Sequence, residues 1–162
     1  MPTRTEPTLL PFSTDAAGQV AAWATTPAEV TAWCSRTEAP VPAEIVAGWS
    51  QQPDVRAYLL LAGDDPVGYG ELWIDDDEAE VELAHLIVAP WLRGRHLGRA
   101  LARLLAAEAH RAHPAVFLRL HPGNAAALAC YRAAGFTRLD PDTERDWNQA
   151  QPTAYLWMTH QP

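Results

Sequence analysis

The spacing of apolar residues changes period several times along the chain, and each change marks an element. Residues 8–12, Thr8-Leu-Leu-Pro-Phe12, read as a short first strand. Residues 16–23 and 27–34 follow as helices, the first capped by Asp15 and the second opened by Pro27. Val30, Trp33 and Cys34 recur at helical spacing, which makes Trp33 a core residue rather than a ligand contact. Pro42 opens a third helix over residues 43–51, with Ile45, Val46 and Trp49 on one side. After Pro53 the period falls to two. Residues 55–62, 67–74 and 80–89 are three β-rich runs, separated by Gly63-Asp-Asp-Pro66 and by Asp75-Asp-Asp-Glu78. Three strands joined by short turns predict an antiparallel sheet.

Residues 96–111 return to the helical period, with Leu97, Leu101, Leu104 and Leu105 forming one stripe. A strand over 115–120 comes next. The strand–helix–strand order from residue 81 to 120 predicts a crossover that leaves those two strands parallel and adjacent. Asn124 caps a helix over 125–134, and Gly135 ends it. Residues 136–139 and 154–159 complete the pattern as strands, with 140–153 between them as a long polar loop. No repeat, linker or low-complexity segment interrupts the series, so residues 1–162 are expected to form one mixed α/β domain.

Composition narrows the class. Nearly half of the 162 residues are apolar (48%) and seven are Trp, enough for a substantial core and too many for disorder. No apolar run approaches the roughly 20 residues of a membrane span, and residues 1–7 lack the apolar centre of a signal peptide. Cys34 and Cys130 are the only cysteines, too few for a disulfide framework or a zinc pattern, which predicts a reduced, cytoplasmic protein without a metal. The net charge of −8 argues against a nucleic-acid partner. Its distribution is uneven. Residues 64–82 hold nine acids and no base, whereas 91–138 hold eight arginines and one acid, Glu108. A cleft that takes a polyanion on one side and a cation on the other would have this asymmetry. Asp75 to Glu78 also read simply as a solvated turn. His110, His113, His121 and His160 lack metal-ligand spacing.

The basic half centres on residues 86–105. A strand passes through Pro90 and an arginine–glycine turn into the long helix. A helix N-terminus presents unpaired N–H groups and the positive end of the macrodipole, which suits a phosphate. Gly94 and Gly98 allow close backbone approach, and Arg93, Arg95 and Arg99 add charge that would oppose the helix dipole unless an anion were bound.

Leu86-x-Val88-x-Pro90-x-x-Arg93-Gly94-x-His96-x-Gly98 resembles motif A of the GNAT acyltransferase superfamily. Asn124, Ala127, Tyr131 and Gly135-Phe136 are similar to its motif B, in family order and spacing. The resemblance covers residues 80–136 well. It implies a mixed sheet of six or seven strands, mostly antiparallel with a central parallel pair, flanked by helices. It also implies acetyl-CoA as cosubstrate and a small-molecule or peptide amine as acceptor, and it admits a homodimer. Carried over residue by residue, backbone N–H groups of Gly94, Arg95, His96, Leu97, Gly98 and Arg99 would hold the pyrophosphate with help from the Arg93, Arg95 and Arg99 side chains. The backbone of Leu86, Ile87 and Val88 would pair with the pantetheine arm, and Asn124 would lie near the cofactor. Tyr131 would protonate the leaving thiolate, and Cys130 would be a packed thiol elsewhere on the helix. His96 departs from the pattern, since the family has glycine there. A side chain is accommodated if φ is negative, and the N–H survives. For the general base the candidates are Glu82, His85, Glu71 or a water chain; strict alternation puts Glu82 and His85 on opposite faces unless a bulge intervenes. Glu71, Trp73 and Glu82 are candidates for the acceptor pocket, with Trp147 and Asn148. The alternatives are a non-catalytic acyl-CoA sensor of the same fold, or a mononucleotide-binding protein, which the missing G-x-x-x-x-G-K-[ST] run disfavours.

Overall fold

The computed structural model describes residues 5–162. Its strands are β1 (Thr8–Pro11), β2 (Val55–Ala62), β3 (Asp65–Asp75), β4 (Glu80–Val88), β5 (Ala115–Leu120), β6 (Phe136–Arg138) and β7 (Leu156–His160). The helices are α1 (Ala17–Ala21), α2 (Pro27–Cys34), α3 (Ala43–Trp49), α4 (Leu97–Ala112), α5 (Ala125–Ala133) and α6 (Pro141–Asn148). The seven strands form one sheet in the order β1-β2-β3-β4-β5-β7-β6. Only β4 and β5 are parallel, joined by the α4 crossover; every other neighbouring pair is antiparallel. The mixed sheet with its central parallel pair is therefore as the pattern predicts.

Each face of the sheet has its own core. On one, the α4 stripe buries Leu101, Ala102, Leu105, Ala106 and Ala109 against Leu72, Val81, Leu83, Leu118, Phe136 and Met158. Gly70 makes this approach possible, because a Cβ there would lie 2.5 Å from Leu105 Cδ1. On the other, Val20, Trp23, Val30, Trp33 and Val46 from α1–α3 pack on Leu59, Tyr69 and Ile87. At about 1.5–3 kcal/mol for each large apolar side chain fully buried, these two layers fix the helices on the sheet. No helix among the described residues is long and apolar enough to cross a membrane.

Three local expectations change. Residues 14–16 form a 3-10 turn and α1 covers only Ala17–Ala21, with no side-chain cap from Asp15. α3 stops at Trp49. The polar segment 140–153 is not simply a loop, since α6 occupies most of it. Asp140 caps that helix by accepting the Thr143 N–H (2.9 Å) and hydroxyl (2.6 Å), and Pro141 takes the first turn. Glu144 then accepts the Trp157 N–H at 3.0 Å, and Asn148 bridges the Tyr155 carbonyl and the Trp157 indole. The helix is thereby pinned to β7.

Candidate active site

β4 and β5 pair only from Glu80↔Ala115 to Leu83↔Leu118 and then separate. Past Leu83, residues 84–88 of β4 keep β3 as their only strand neighbour, while β5 continues against β7. The separation opens a cleft of about 640 Å³. Leu86, Ile87 and Val88 line it from β4, and Asn124, Ala127, Cys130 and Tyr131 line it from α5. The β4 segment thus has no strand partner on its β5 side, where an extended amide-bearing chain could add as a strand, although the His85 and Val88 carbonyls already accept from the Trp33 indole and the Arg93 guanidinium.

The arginine–glycine turn lies at the end of β4. Gly94 has φ +79 and His96 has φ +64, ψ 13. His96 is the N-cap of α4 and sits in the left-handed region, so the negative φ that would have accommodated its side chain is not what the backbone adopts. Histidine tolerates this region better than most residues, at a cost on the order of 1–2 kcal/mol relative to glycine. Its ring is exposed and does not cap the helix. α4 therefore begins at Leu97, Gly98 and Arg99 with no side-chain cap, and the Ala100 N–H to His96 carbonyl bond (3.2 Å) closes its first turn. The opening N–H groups are available to an anion. Leu97 itself packs into the α4 core, so only its N–H can serve a ligand. Gly98 has a packing reason as well, because a Cβ there would lie 3.1 Å from Cys130 Sγ.

The Arg93 guanidinium does not stand free over the turn. It donates to the carbonyls of Trp23 (3.0 Å) and Val88 (3.4 Å) and pairs with Glu29 at 3.2 Å. This arginine ties the turn to the N-terminal helices. Arg95 is exposed beside it, and the charge of Arg99 reaches Cys130.

Asn124 caps α5 through its side-chain oxygen, which accepts the Ala127 N–H at 3.1 Å. Tyr131 lines the cleft two turns on and makes no side-chain hydrogen bond to a described residue. Burial holds its phenol well above the usual range, so it carries its proton as a donor must. Cys130 lines the cleft too, rather than pointing elsewhere, and burial pushes its thiol up.

Two of the base candidates, Glu82 and His85, share a face. Between Tyr69↔Ile87 and Glu71↔Ala84, two residues of β4 oppose one of β3, and His85 has φ +54. This bulge resets the alternation. Val81, Leu83, Leu86 and Val88 all pack towards α4, which leaves Glu82, His85 and Ile87 on the α1–α3 side. Glu82 and His85 nevertheless look into different spaces. His85 lines the main cleft. Glu82 opens onto a smaller depression of about 340 Å³, shared with Asp54, Asp75, Glu80 and Phe117, with Trp73 as the common wall. Arg119 Nε lies 2.8 Å from Glu82 Oε1 and stands between that carboxylate and the cleft. Burial outweighs this ion pair and pushes the Glu82 carboxyl up to about 7. Glu71 is fully buried and does not line the cleft.

Trp147 and Asn148 do not line the cleft: Trp147 packs on Phe117, and Asn148 holds β7. Trp73 does line it, together with Trp33, Arg119, His121, Gln151 and Tyr155. Trp33 is buried as the pattern predicts, yet it lines the cleft and donates its indole N–H to the His85 carbonyl at 2.8 Å. Arg119 carries no motif in the sequence and His121 reads there only as a histidine without metal-ligand spacing, although alternation against the buried Leu118 and Leu120 puts both on the side away from α4. The acidic stretch does not line the cleft. Asp75 to Glu78 form the β3–β4 turn, where Asp75 accepts the Glu78 N–H (3.0 Å) and Asp76 pairs with His113 (2.7 Å). Among the described residues no group of three or more His, Cys, Asp or Glu side chains could hold a metal ion.

Comparison with known proteins agrees with this geometry. The model of the acetyltransferase (GNAT) family matches residues 19–136. A mycothiol acetyltransferase of Streptomyces scabiei (strain 87.22) is 40% identical over 85 residues, 51% of this chain. The chain spans only about a quarter (26%) of that relative's length. Among solved structures, AAC(6')-Ib in complex with paromomycin and acetyl-CoA superposes with a TM-score of 0.77 at 17% identity, covering 96% of this chain and 93% of that one. Spermidine N-acetyltransferase from Vibrio cholerae, in complex with CoA and spermine, gives 0.69 at 16% identity, covering 84% and 83%. With the family model spanning well over half of its length, the chain belongs to the GNAT acetyltransferase family.

Proposed function

We propose that the chain is one catalytic domain that moves an acetyl group from acetyl-CoA directly to a primary amine. The observation that carries this reading is the juxtaposition, in one cleft, of a splayed β4 edge and the protonated Tyr131, with Arg93 on the lining leading into the uncapped α4 N-terminus. The α4 N–H groups from Leu97 onward, with Gly94 to His96, suit the pyrophosphate, with Arg95 and Arg99 adding charge. Arg93 acts as the strut that holds the turn, and the free edge of residues 84–88 suits the pantetheine amides. The solved relatives named above hold CoA or acetyl-CoA together with amine-bearing molecules, which supports an amine as acceptor.

In the proposed reaction a base on the β4 face takes a proton from the acceptor's ammonium group. The freed nitrogen lone pair forms the bond to the thioester carbon, and backbone N–H groups of β4 stabilise the oxyanion. As the carbon–sulfur bond breaks, Tyr131 gives its proton to the sulfur and recovers one from the acetylated nitrogen. The balance is one amide, one free thiol and one proton released by the base. The part of the cleft lined by Trp33, Trp73, Arg119 and Tyr155 is assigned to the acceptor, and no acid of residues 64–82 lines the cleft, so attraction of a polycation by the acidic stretch is not part of the proposal.

A panel of amines tested with acetyl-CoA, followed by free-thiol release, checks the reading. Tyr131→Phe should lower kcat by about 100-fold or more while leaving the acetyl-CoA Kd within about twofold. Tight CoA binding with no thiol release on any amine would instead support a sensor. The chain has no lysine, so acetylation of its own lysine side chains cannot contribute signal.

A further inference from the structure

Glu71 is the most deeply buried charged side chain among the described residues, at 0% exposure. A carboxylate taken out of water is costly unless its oxygens are satisfied. Oε1 accepts the Trp73 indole N–H at 2.9 Å, and Oε2 accepts the Tyr69 hydroxyl at 2.7 Å. An indole nitrogen can only donate. The Tyr69 phenol, raised far above its usual range by burial and by Glu71 itself, keeps its proton and donates too. His85 Nδ1 lies 2.8 Å from the same Oε2. Facing an acceptor-only group, that nitrogen carries the proton. In a neutral imidazole the lone pair is then on Nε2.

The rest of the ring is fixed as well. Trp49 lies against it with centroids 4.0 Å apart and planes tilted by 33°, and Trp73 meets it edge-on at 5.3 Å. Trp33 holds the His85 carbonyl. His85 Nε2 has no hydrogen-bond partner among the described residues, and the residue lines the cleft. The bulge is what brings the ring here, since a regular pleat would turn His85 towards α4. It does so with a non-glycine φ of +54, strain of the kind that concentrates at functional sites. The charged and titratable groups around the ring are Glu71 and Tyr69 from β3, Glu82 from β4 with its partner Arg119 from β5, and Cys34 from α2; α3 contributes only Trp49.

We propose that His85 Nε2 is the general base of the acetyl transfer, and that Glu71 is a positioning residue that locks the imidazole in the tautomer able to accept the proton. This rests on the acetyl-transfer reading. The ammonium proton passes to Nε2, directly or through one water, and leaves to solvent after the thiol departs. Glu82, screened by Arg119, takes no proton from the acceptor.

Nitrogen-15 NMR of the imidazole rings in the intact protein tests the tautomer without any turnover. His85 should be in the Nδ1–H form, and Glu71→Gln should give a mixture. A dominant Nε2–H form in the unmodified protein overturns the positioning role, whatever the activity. In kinetics, His85→Gln should lower kcat by about 100-fold or more and abolish the acid limb of the pH profile, with the acetyl-CoA Kd within about twofold. Added imidazole should restore part of the rate in His85→Ala. Glu71→Gln should lower kcat by about tenfold with little change in the amine KM. If the acid limb survives in His85→Gln and disappears in Glu82→Gln, Glu82 is the base and the proposal fails. If no amine is turned over at all, the parent reading fails, and the tautomer still decides the role of Glu71.

Discussion

His96 shows how one residue can keep a family's backbone while breaking its sequence pattern. A left-handed N-cap normally belongs to glycine, and here φ is +64 with a full side chain. The ring is exposed and makes no cap, so nothing seen in its surroundings repays the strain. If the turn works through its N–H groups, the imidazole is dispensable. His96→Gly should then leave the acetyl-CoA Kd within about twofold. It removes strain on the order of 1–2 kcal/mol but adds freedom to the unfolded chain worth about 0.4–1 kcal/mol, so a net gain between about 0 and 1.6 kcal/mol is expected. His96→Val, β-branched and poorly suited to positive φ, should lose about 1–2 kcal/mol. Urea midpoints and calorimetric titration measure both. A tenfold loss of acetyl-CoA affinity in the glycine variant would assign the ring itself to the phosphates.

Between elements, the decisive contact is α4 on β3 at Gly70. A Cβ there would meet Leu105 Cδ1 at 2.5 Å and Leu86 Cγ at 3.3 Å, and the same residue stands opposite the His85 bulge. Gly70→Ala should therefore cost about 1–3 kcal/mol through overpacking, read from the urea midpoint. It should also lower acetyl transfer beyond what lost folding explains, because relief of the clash moves the segment that carries His85. The elements themselves were legible, since period two and period 3.6 are direct consequences of burying one face. The two central motifs likewise marked the glycine turn that opens α4 and the α5 helix whose Tyr131 lines the cleft. What escaped the sequence has a common cause: partners distant along the chain. Nothing in Ala84-His85-Leu86 marks a positive φ, and only the Glu71 carboxylate and the three tryptophans around His85 explain it. Arg93 reads as a phosphate ligand until Trp23, 70 residues away, claims its guanidinium. α6 lacks an apolar stripe, so its segment reads as a polar loop, and its hold on β7 comes from Glu144 and Asn148.

At the scale of the molecule, the proposed site lies where the sheet splits open between β4 and β5. β4 and β5 are its only parallel neighbours, and they part after four paired positions. Completing the sheet would give β4 a second partner from Ala84 to Val88, and an anion would satisfy the open end of α4. Both gains belong to the folded state alone, so a ligand that supplies them must raise stability by mass action. At acetyl-CoA concentrations about 100 times its Kd, the gain is about 2.7 kcal/mol. For a chain of this size each kcal/mol shifts Tm by roughly 2–4 °C, which predicts a rise of about 5–11 °C. Hydrogen exchange should slow at the β4 amides facing β5 and at the amides of residues 94–99, with little change along β1 and β2. In the proposed binding mode the adenosine half of CoA would reach only the turn, so 3′-phosphoadenosine diphosphate should protect residues 94–99 and leave the β4 amides unchanged. Equal protection of both regions by that fragment would mean that the cleft closes as one body, and that pantetheine pairing on β4 is not what holds the cosubstrate.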